Sequence, residues 1–297
     1  MRAALESVVS ELEYLRDRGV SRIFVHEDTM AQLHKAVEAR SCVTEPEVME
    51  AAPSMSPVIE WSEPQEVQPK AKKEPSLDAN IPEPESFELP AGDKQTQWNW
   101  LRERVLGSPE CLKHVKPGKK VVFGVGNLDA EIFFCGEAPG ADEEIQGEPF
   151  VGKAGQLLTK IIGAMGYQRQ DVYIGNIMNW RPEMPTDYGN RPPTQREMQY
   201  CLPFLKAQLE IVKPKAIVAL GATAVSGLLG PDPKRRMKDA RGQWSTFDSI
   251  PLMVTFHPSY LLRNNTNKAK RMVWEDMLKV MEHIDKPITE KQRSYFL

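Results

Sequence analysis

Residues 132–165 read IFFCGEAPGADEEIQGEPFVGKAGQLLTKIIGAM. Ile132–Cys135 is a short apolar run, and a glycine- and proline-bearing loop follows it. Beyond the loop, Leu157, Leu158, Ile161, Ile162 and Met165 recur at three- and four-residue spacing. That spacing predicts a helix over Ala154–Met165 with one apolar stripe facing a sheet. A continuous apolar run is the mark of a strand covered on both faces. The same alternation extends outward in both directions. Candidate strands are Val121–Phe123, Val172–Ile174, Ala216–Leu220 and Leu252–Phe256. Candidate helices are Thr96–Val105, Gln195–Val212, Ala222–Leu229 and Ala269–His283. Alternating strands and helices predict an α/β fold with a mostly parallel central sheet covered on both faces.

The alternating region does not fill the chain. Of 297 residues, 94–297 carry a net charge of +7, although the whole chain is at −3. The difference lies in residues 44–93, which hold nine prolines, twelve acids and three lysines, a net of −9. Such a stretch buries too little apolar surface to fold and is expected to be an extended, disordered linker. Its charge serves solubility, or it competes with a polyanion for the basic domain. Residues 1–43 place Leu5, Val8, Val9, Leu12 and Leu15 on one helical face and are expected to form a small helical piece, either an accessory module or a docking piece for a protein partner. The expected domains are therefore 1–43, 44–93 and 94–297. Apolar runs such as Ala216–Leu220 are far short of the roughly 20 residues of a membrane span. Glu6, Glu11 and Glu13 interrupt any leader-like apolar stretch. Four cysteines are too few for a disulfide framework, so a cytoplasmic, monomeric protein is expected.

Ligands of such sheets sit beyond the carboxyl ends of the strands, so residues directly after each strand are the candidates. Ile132–Cys135 leads into Gly136-Glu137-Ala138-Pro139-Gly140, with Asp142, Glu143 and Glu144 close behind. This loop lacks the Gly-Lys-Ser/Thr end of a triphosphate cradle, and Gly124-Val-Gly126 lacks the glycine spacing of a dinucleotide site. Phe150, between Pro149 and Gly152, either packs under its loop or offers a platform for a flat ring. Asn176 caps a turn, or presents a donor and an acceptor to one ligand edge. His257 follows the last candidate strand, with Leu261, Leu262, Arg263, Lys268, Lys270 and Arg271 after it. Lys234-Arg235-Arg236 with Lys238 forms a second basic cluster, facing nucleic acid or solvent.

Gly136-Glu137-Ala138-Pro139-Gly140, Pro149-Phe150-Val151-Gly152, Asn176 and His257-Pro258-Ser259-Tyr260-Leu261-Leu262-Arg263 together resemble the uracil-DNA glycosylase superfamily, most nearly its family 4 bacterial and archaeal type. Val121–Gly126, Asn190-Arg191-Pro192-Pro193-Thr194 and Tyr200-Cys201-Leu202-Pro203-Phe204 extend the resemblance, which covers about residues 105–284. It implies a three-layer αβα domain that removes uracil from DNA and leaves an abasic site. It also implies that the target base leaves the helix stack for a pocket. On this resemblance Gly136, Ala138, Phe150 and Asn176 hold uracil, and His257 donates a hydrogen bond to the departing base. Glu137, or else Asp142, supports the cationic sugar and positions water. Leu261 or Leu262 wedges into the vacated stack, while Arg263 and Lys268, with Lys270 and Arg271, hold phosphates. Ala138 stands where better-known superfamily members carry an Asp, and Gly140 where they carry the bulky residue that excludes thymine.

Family 4 proteins that this chain resembles bind a [4Fe–4S] cluster through four cysteines. The corresponding positions here are Ser108, Cys111, Trp180 and Cys201, so two of four ligands are missing. A cluster normally needs four thiolates. No cluster or other cofactor is therefore expected, with Trp180 plugging the space; Cys135, on a core strand, is a poor replacement. Two other activities fit the same residues: a glycosylase for hypoxanthine or xanthine, and a non-catalytic protein that binds damaged DNA.

Overall fold

The computed structural model describes residues 81–183 and 191–297. The expected helical piece at 1–43 and the linker as far as residue 80 lie outside the described residues. A six-stranded sheet organises the rest, in the order β1-β3-β2-β4-β6-β5. Its strands are β1 Val125–Gly126, β2 Ile132–Gly136, β3 Tyr173–Asn176, β4 Ala216–Leu220, β5 Trp244–Phe247 and β6 Ile250–Thr255. The inner pairs β3–β2, β2–β4 and β4–β6 are parallel. The edge strands β1 and β5 are antiparallel to their neighbours.

Side-chain alternation along the strands builds two apolar layers. Phe133, Cys135, Ile217, Ala219, Leu252 and Val254 face one layer. Ile132, Phe134, Ala216, Val218, Leu220 and Met253 face the other. The first is covered by α1 (Lys94–Leu106), α5 (Gln195–Val212) and α6 (Ala222–Leu229), the second by α4 (Lys153–Ala164) and α9 (Asn267–His283). This is the three-layer αβα arrangement, with every inner strand buried on both faces, which is why those strands are continuous apolar runs.

Local sequence sets the helix starts. Asp93 caps α1 through the Thr96 N–H, at 2.8 Å. Thr194 and Glu197 close a reciprocal capping box on α5. Short helices complete the chain: α2 Pro109–Lys113, α3 Ala141–Gln146, α7 Met237–Ala240, α8 Pro258–Arg263 and α10 Glu290–Arg293.

The structure departs from the sequence reading in three places. Val121–Phe123 is buried and extended, but it pairs with Asn179 rather than with a strand: the Val122 N–H reaches the Asn179 carbonyl at 2.8 Å. The first strand comes later, at Val125–Gly126. The hairpin strand Trp244–Phe247 carries no apolar run, because only Phe247 of its four residues is buried. Residues 81–93, counted with the acidic linker, lie on the folded body. Ile81 is buried, and its carbonyl accepts from Arg196 Nε at 2.6 Å. Phe87 stacks on Phe204 with ring centroids 5.6 Å apart. Arg104 pairs with Glu85 at 2.7 Å and lies 5.0 Å over the Phe87 ring.

Candidate active site

A cleft of about 550 Å3 opens at the carboxyl ends of the inner strands. Glu137, Ala138, Phe150, Asn176 and His257 converge on its wall. Parallel pairing brings them together: Gly136, at the end of β2, lies opposite Asn176, at the end of β3. The pairing continues past the strands, with the Met178 N–H on the Glu137 carbonyl at 3.0 Å. Gly136 is required here by close approach. A Cβ on it would stand 2.4 Å from Asn176 Oδ1 and 2.5 Å from the Phe150 ring.

Asn176 is 7% exposed, and its Oδ1 is buried with no partner in the protein. A buried unpaired acceptor is unfavourable unless a partner from outside the chain completes it. Phe150 is buried with φ at 54°, a left-handed conformation uncommon outside glycine. Its loop is fastened from two sides. Glu143 accepts the N–H groups of Gly140, Val151 and Gly152 at 3.1, 3.0 and 2.9 Å. Arg169 donates to the Pro149 carbonyl at 2.6 Å. Behind the loop, Gly155 lets α4 press close, since a Cβ there would meet the Phe150 carbonyl oxygen at 1.8 Å. The Phe150 ring thus stands fixed, its centroid 5.6 Å from that of His257.

His257 caps α8, its Nδ1 lying 3.2 Å from the Ser259 N–H and 2.9 Å from Ser259 Oγ. An N–H can only donate, so Nδ1 is the acceptor and Nε2 carries the proton. Burial, helped by the charge of Arg263, pushes the imidazole pKa down to about 4, so the ring is neutral at physiological pH. Burial raises the Glu137 carboxyl above its usual range, opposed by a hydrogen bond to Thr223. Asp142 also lines the cleft and is exposed on the first turn of α3.

The structure separates the two candidate wedge leucines. Leu261 is 5% exposed and packs with Phe256, Ala269 and Val273, whereas Leu262 is 48% exposed. Of the two, Leu262 is the one that stands open to solvent. The basic run divides as well. Arg263 lines the cleft and Lys268 is exposed at the start of α9. Arg271, by contrast, is bound to Glu275 and to the carbonyls of Arg293 and Tyr295. In the second basic cluster, Arg235 donates to the Gly230 carbonyl and Arg236 pairs with Asp239.

Sequence reasoning missed several lining residues: Glu143, Lys153, Arg181, Arg191 and Thr223. Glu143 was one acid among four with no periodicity to distinguish it. Arg181 carried only a basic charge next to a proline as a signal, and Arg191 stood in a stretch that extends the family resemblance without a role assigned to it.

The residues at the expected cluster positions do not fit four-thiolate ligation. Trp180 is fully buried and stacks on His114, with centroids 4.8 Å apart and planes at 12°. Ser108 Oγ caps α2 and lies 3.2 Å from the Tyr200 hydroxyl. Cys111 and Cys201 are buried free thiols. Burial pushes the Cys111 pKa up to about 12 and that of Cys201 well above its ordinary value. Among the described residues, no three His, Cys, Asp or Glu side chains converge as a metal site.

The class is an αβα protein with a recessed ring, an unpaired amide edge and a buried histidine at its strand ends. Comparison with known proteins sharpens that class. Residues 123–278 match the family model described as the uracil DNA glycosylase superfamily. A type-4 uracil-DNA glycosylase of Thermotoga maritima is 43% identical over 186 residues, 63% of this chain and 94% of that protein. The type-4 uracil-DNA glycosylase of Saccharolobus solfataricus is 39% identical, covering 58% of this chain and 80% of its own. That of Pyrobaculum aerophilum is 37% identical, covering 55% and 83%. The chain belongs to the uracil DNA glycosylase superfamily.

Proposed function

We infer that this chain is a DNA-repair enzyme that hydrolyses the N-glycosidic bond of uracil in DNA, releasing the free base and leaving an abasic site. The observation that carries the reading is the buried, unpaired Oδ1 of Asn176 in the wall of the cleft beside Phe150 and His257. Uracil offers N3–H to that oxygen and O4 to the amide N–H2. Cytosine reverses both polarities and would leave buried groups unpaired, so a fixed amide discriminates strongly. Phe150 stacks on the flipped ring, while the backbone at Gly136 and Ala138 closes the pocket edge.

Bond cleavage places positive charge on the sugar and negative charge on the leaving uracil. His257, neutral and protonated on Nε2, donates to the uracil oxygen where that charge develops. Glu137, hydrogen-bonded to Thr223, is the carboxylate that supports the cationic sugar and holds the attacking water. Asp142 is the second choice for that role. Leu262 is the wedge in the vacated stack, and Arg263 and Lys268 grip phosphates on either side.

The enzyme is read as working without a [4Fe–4S] cluster, because the Trp180 indole occupies the corner and only two thiols remain there. It is read as a monomer, with residues 1–43 as a docking piece for a protein partner. No helix among the described residues is long and apolar enough to cross a membrane. Buried free thiols suit the reducing cytoplasm as the place of action.

Oligonucleotides carrying a single uracil, hypoxanthine or xanthine, followed by alkaline cleavage of abasic sites, test the activity. Cutting at uracil is expected, and Asn176→Ala and His257→Ala should each slow it by about 100-fold or more. Cutting only at hypoxanthine or xanthine would reassign the base. Tight binding of damaged DNA with no cutting at any base would make the chain a sensor.

A further inference from the structure

Residues 111–120 read CLKHVKPGKK, four lysines without an acid. They lead from α2 to the buried segment Val121–Phe123. Pro117 and Gly118 stand at the two central positions of a tight turn. Gly118 has φ at 78°, and the Lys119 N–H reaches the Lys116 carbonyl at 3.0 Å. The turn is fastened to α3: the Lys120 N–H donates to the Glu144 carbonyl at 2.7 Å, and Lys120 Nζ to that of Gln146 at 3.3 Å. Lys119 Nζ lies 3.5 Å from Glu144 Oε1, the oxygen that Arg181 of the cleft wall meets at 3.0 Å. The turn and the cleft wall thus share one buried carboxylate.

That carboxylate does not neutralise the group. Lys116 and Lys120 are exposed, and among the described residues neither pairs with a carboxylate. On the α2 side, Glu110 meets Lys113 and His114. Lysines held together on a fixed turn repel one another, and an anion between them relieves the repulsion. An ammonium is a point charge on a flexible stem, suited to phosphate and indifferent to base sequence. The sheet order separates this group from Arg263: α3 follows β2, α8 follows β6, and β4 lies between them. We propose that the turn Lys116–Lys120 grips the DNA backbone at the far flank of the flipped nucleotide, across the cleft from Arg263 and Lys268.

The proposal rests on the reading of the chain as a DNA glycosylase, and the test keeps the two apart. Binding of the full-length protein to duplexes carrying one tetrahydrofuran abasic analogue is measured over a range of salt. Each phosphate contact contributes a slope of about −0.9 in log K against log salt. Lys116→Gln together with Lys120→Gln should make that slope shallower by about 2. It should weaken binding about tenfold or more at about 50 mM salt, a gap that narrows by about 200 mM. Lys116→Arg with Lys120→Arg, which keeps both charges, should restore the slope. Cutting the duplex back on one side of the analogue should remove the effect of the glutamine pair, and cutting back the other side should leave it. In steady-state excision of uracil the loss should fall on KM more than on kcat. A wild-type enzyme that cuts uracil, with an unchanged slope in the glutamine variant, would overturn the grip and leave the activity reading intact. A glutamine effect that survives trimming of either flank would overturn it too, since the lysines would then meet no defined phosphate. A wild-type protein that neither cuts uracil nor binds the abasic duplex would overturn both.

Discussion

Glu143 makes three backbone hydrogen bonds that tie the loop after β2 to the loop carrying Phe150. Its two oxygens serve both sides, Oε2 taking Gly140 and Oε1 taking Val151 and Gly152. Glu143→Gln would turn one oxygen into a donor aimed at an N–H. We predict a loss of about 10- to 100-fold in kcat, from charge-assisted bonds worth roughly 1.5–3 kcal/mol each. Steady-state kinetics on a uracil oligonucleotide check it. Gly140 has no side chain, and Glu143 Oε2 stands 2.6 Å from where its Cβ would be, so this carboxylate fills the space beside Gly140. His257 sets one pH dependence. Its folded pKa of about 4 lies below the ordinary 6.5, so the unfolded chain binds a proton that the folded chain refuses between those values. Stability from this group is therefore complete above about pH 6.5 and is lost as pH falls toward 4. On the proposed mechanism kcat falls on the acid side first as Glu137, its carboxyl raised by burial, gains a proton, and again near pH 4 as Nδ1 of His257 does. In Glu137→Gln the residual activity should keep only the lower limb, and a limb near 6.5 in that variant would remove the neutral-histidine reading.

At the scale of elements, the segment Ile81–Pro90 acts as a strap over α1 and α5. Phe87 lies between Trp100 and Phe204, Arg104 covers its ring, and Glu85 accepts from Arg104 and from the Tyr200 hydroxyl at 3.4 Å. Tyr200 in turn meets Ser108 and Trp180, so the strap braces the corner where a cluster would otherwise sit. Phe87→Ala should lower stability by about 2–3 kcal/mol, below the full range for a buried aromatic because Phe87 is half-buried. A shifted denaturant midpoint with near-normal kcat is the expected result, since the contacts described for the strap lie on α1 and α5. On the opposite side, Asp276 is fully buried, pairs with Arg241 and accepts from Thr255 Oγ1 at 2.7 Å. Asp276→Asn breaks a buried pair beneath the end of β6 and should destabilise the fold by about 3–5 kcal/mol. Calorimetry or chemical denaturation measures it.

Over the whole molecule, charge is distributed against function in one part and for it in another. Residues 94–297 are basic, as a phosphate-binding surface requires, while the acidic segment 44–93 hides that in the net charge of −3. The corner around Trp180 predicts a colourless protein. Iron analysis should find far less than one iron per chain, and the visible spectrum should lack the absorption of an iron–sulfur centre. A brown preparation with about four irons per chain would sink the cluster-free reading. The sheet was legible from sequence because strands buried on both faces must be apolar throughout, as Ile132–Cys135 and Ala216–Leu220 are. Strand Trp244–Phe247 was not, because an edge strand half open to water carries no such run. Phe150, Asn176 and His257 could be singled out, since each follows a strand or interrupts a pattern. What lies opposite them, a shared cleft, could be seen only in the tertiary structure. By itself the sequence determined the layered α/β fold and the strand-end position of the cleft residues, because periodicity and residue type are local properties. Only the tertiary structure decided which oxygen of the site lacks a partner in the protein, which of the two leucines stands exposed, and that Ser259 lies against the histidine ring. Those depend on distances between atoms brought together by parallel pairing, and no spacing along the chain encodes them.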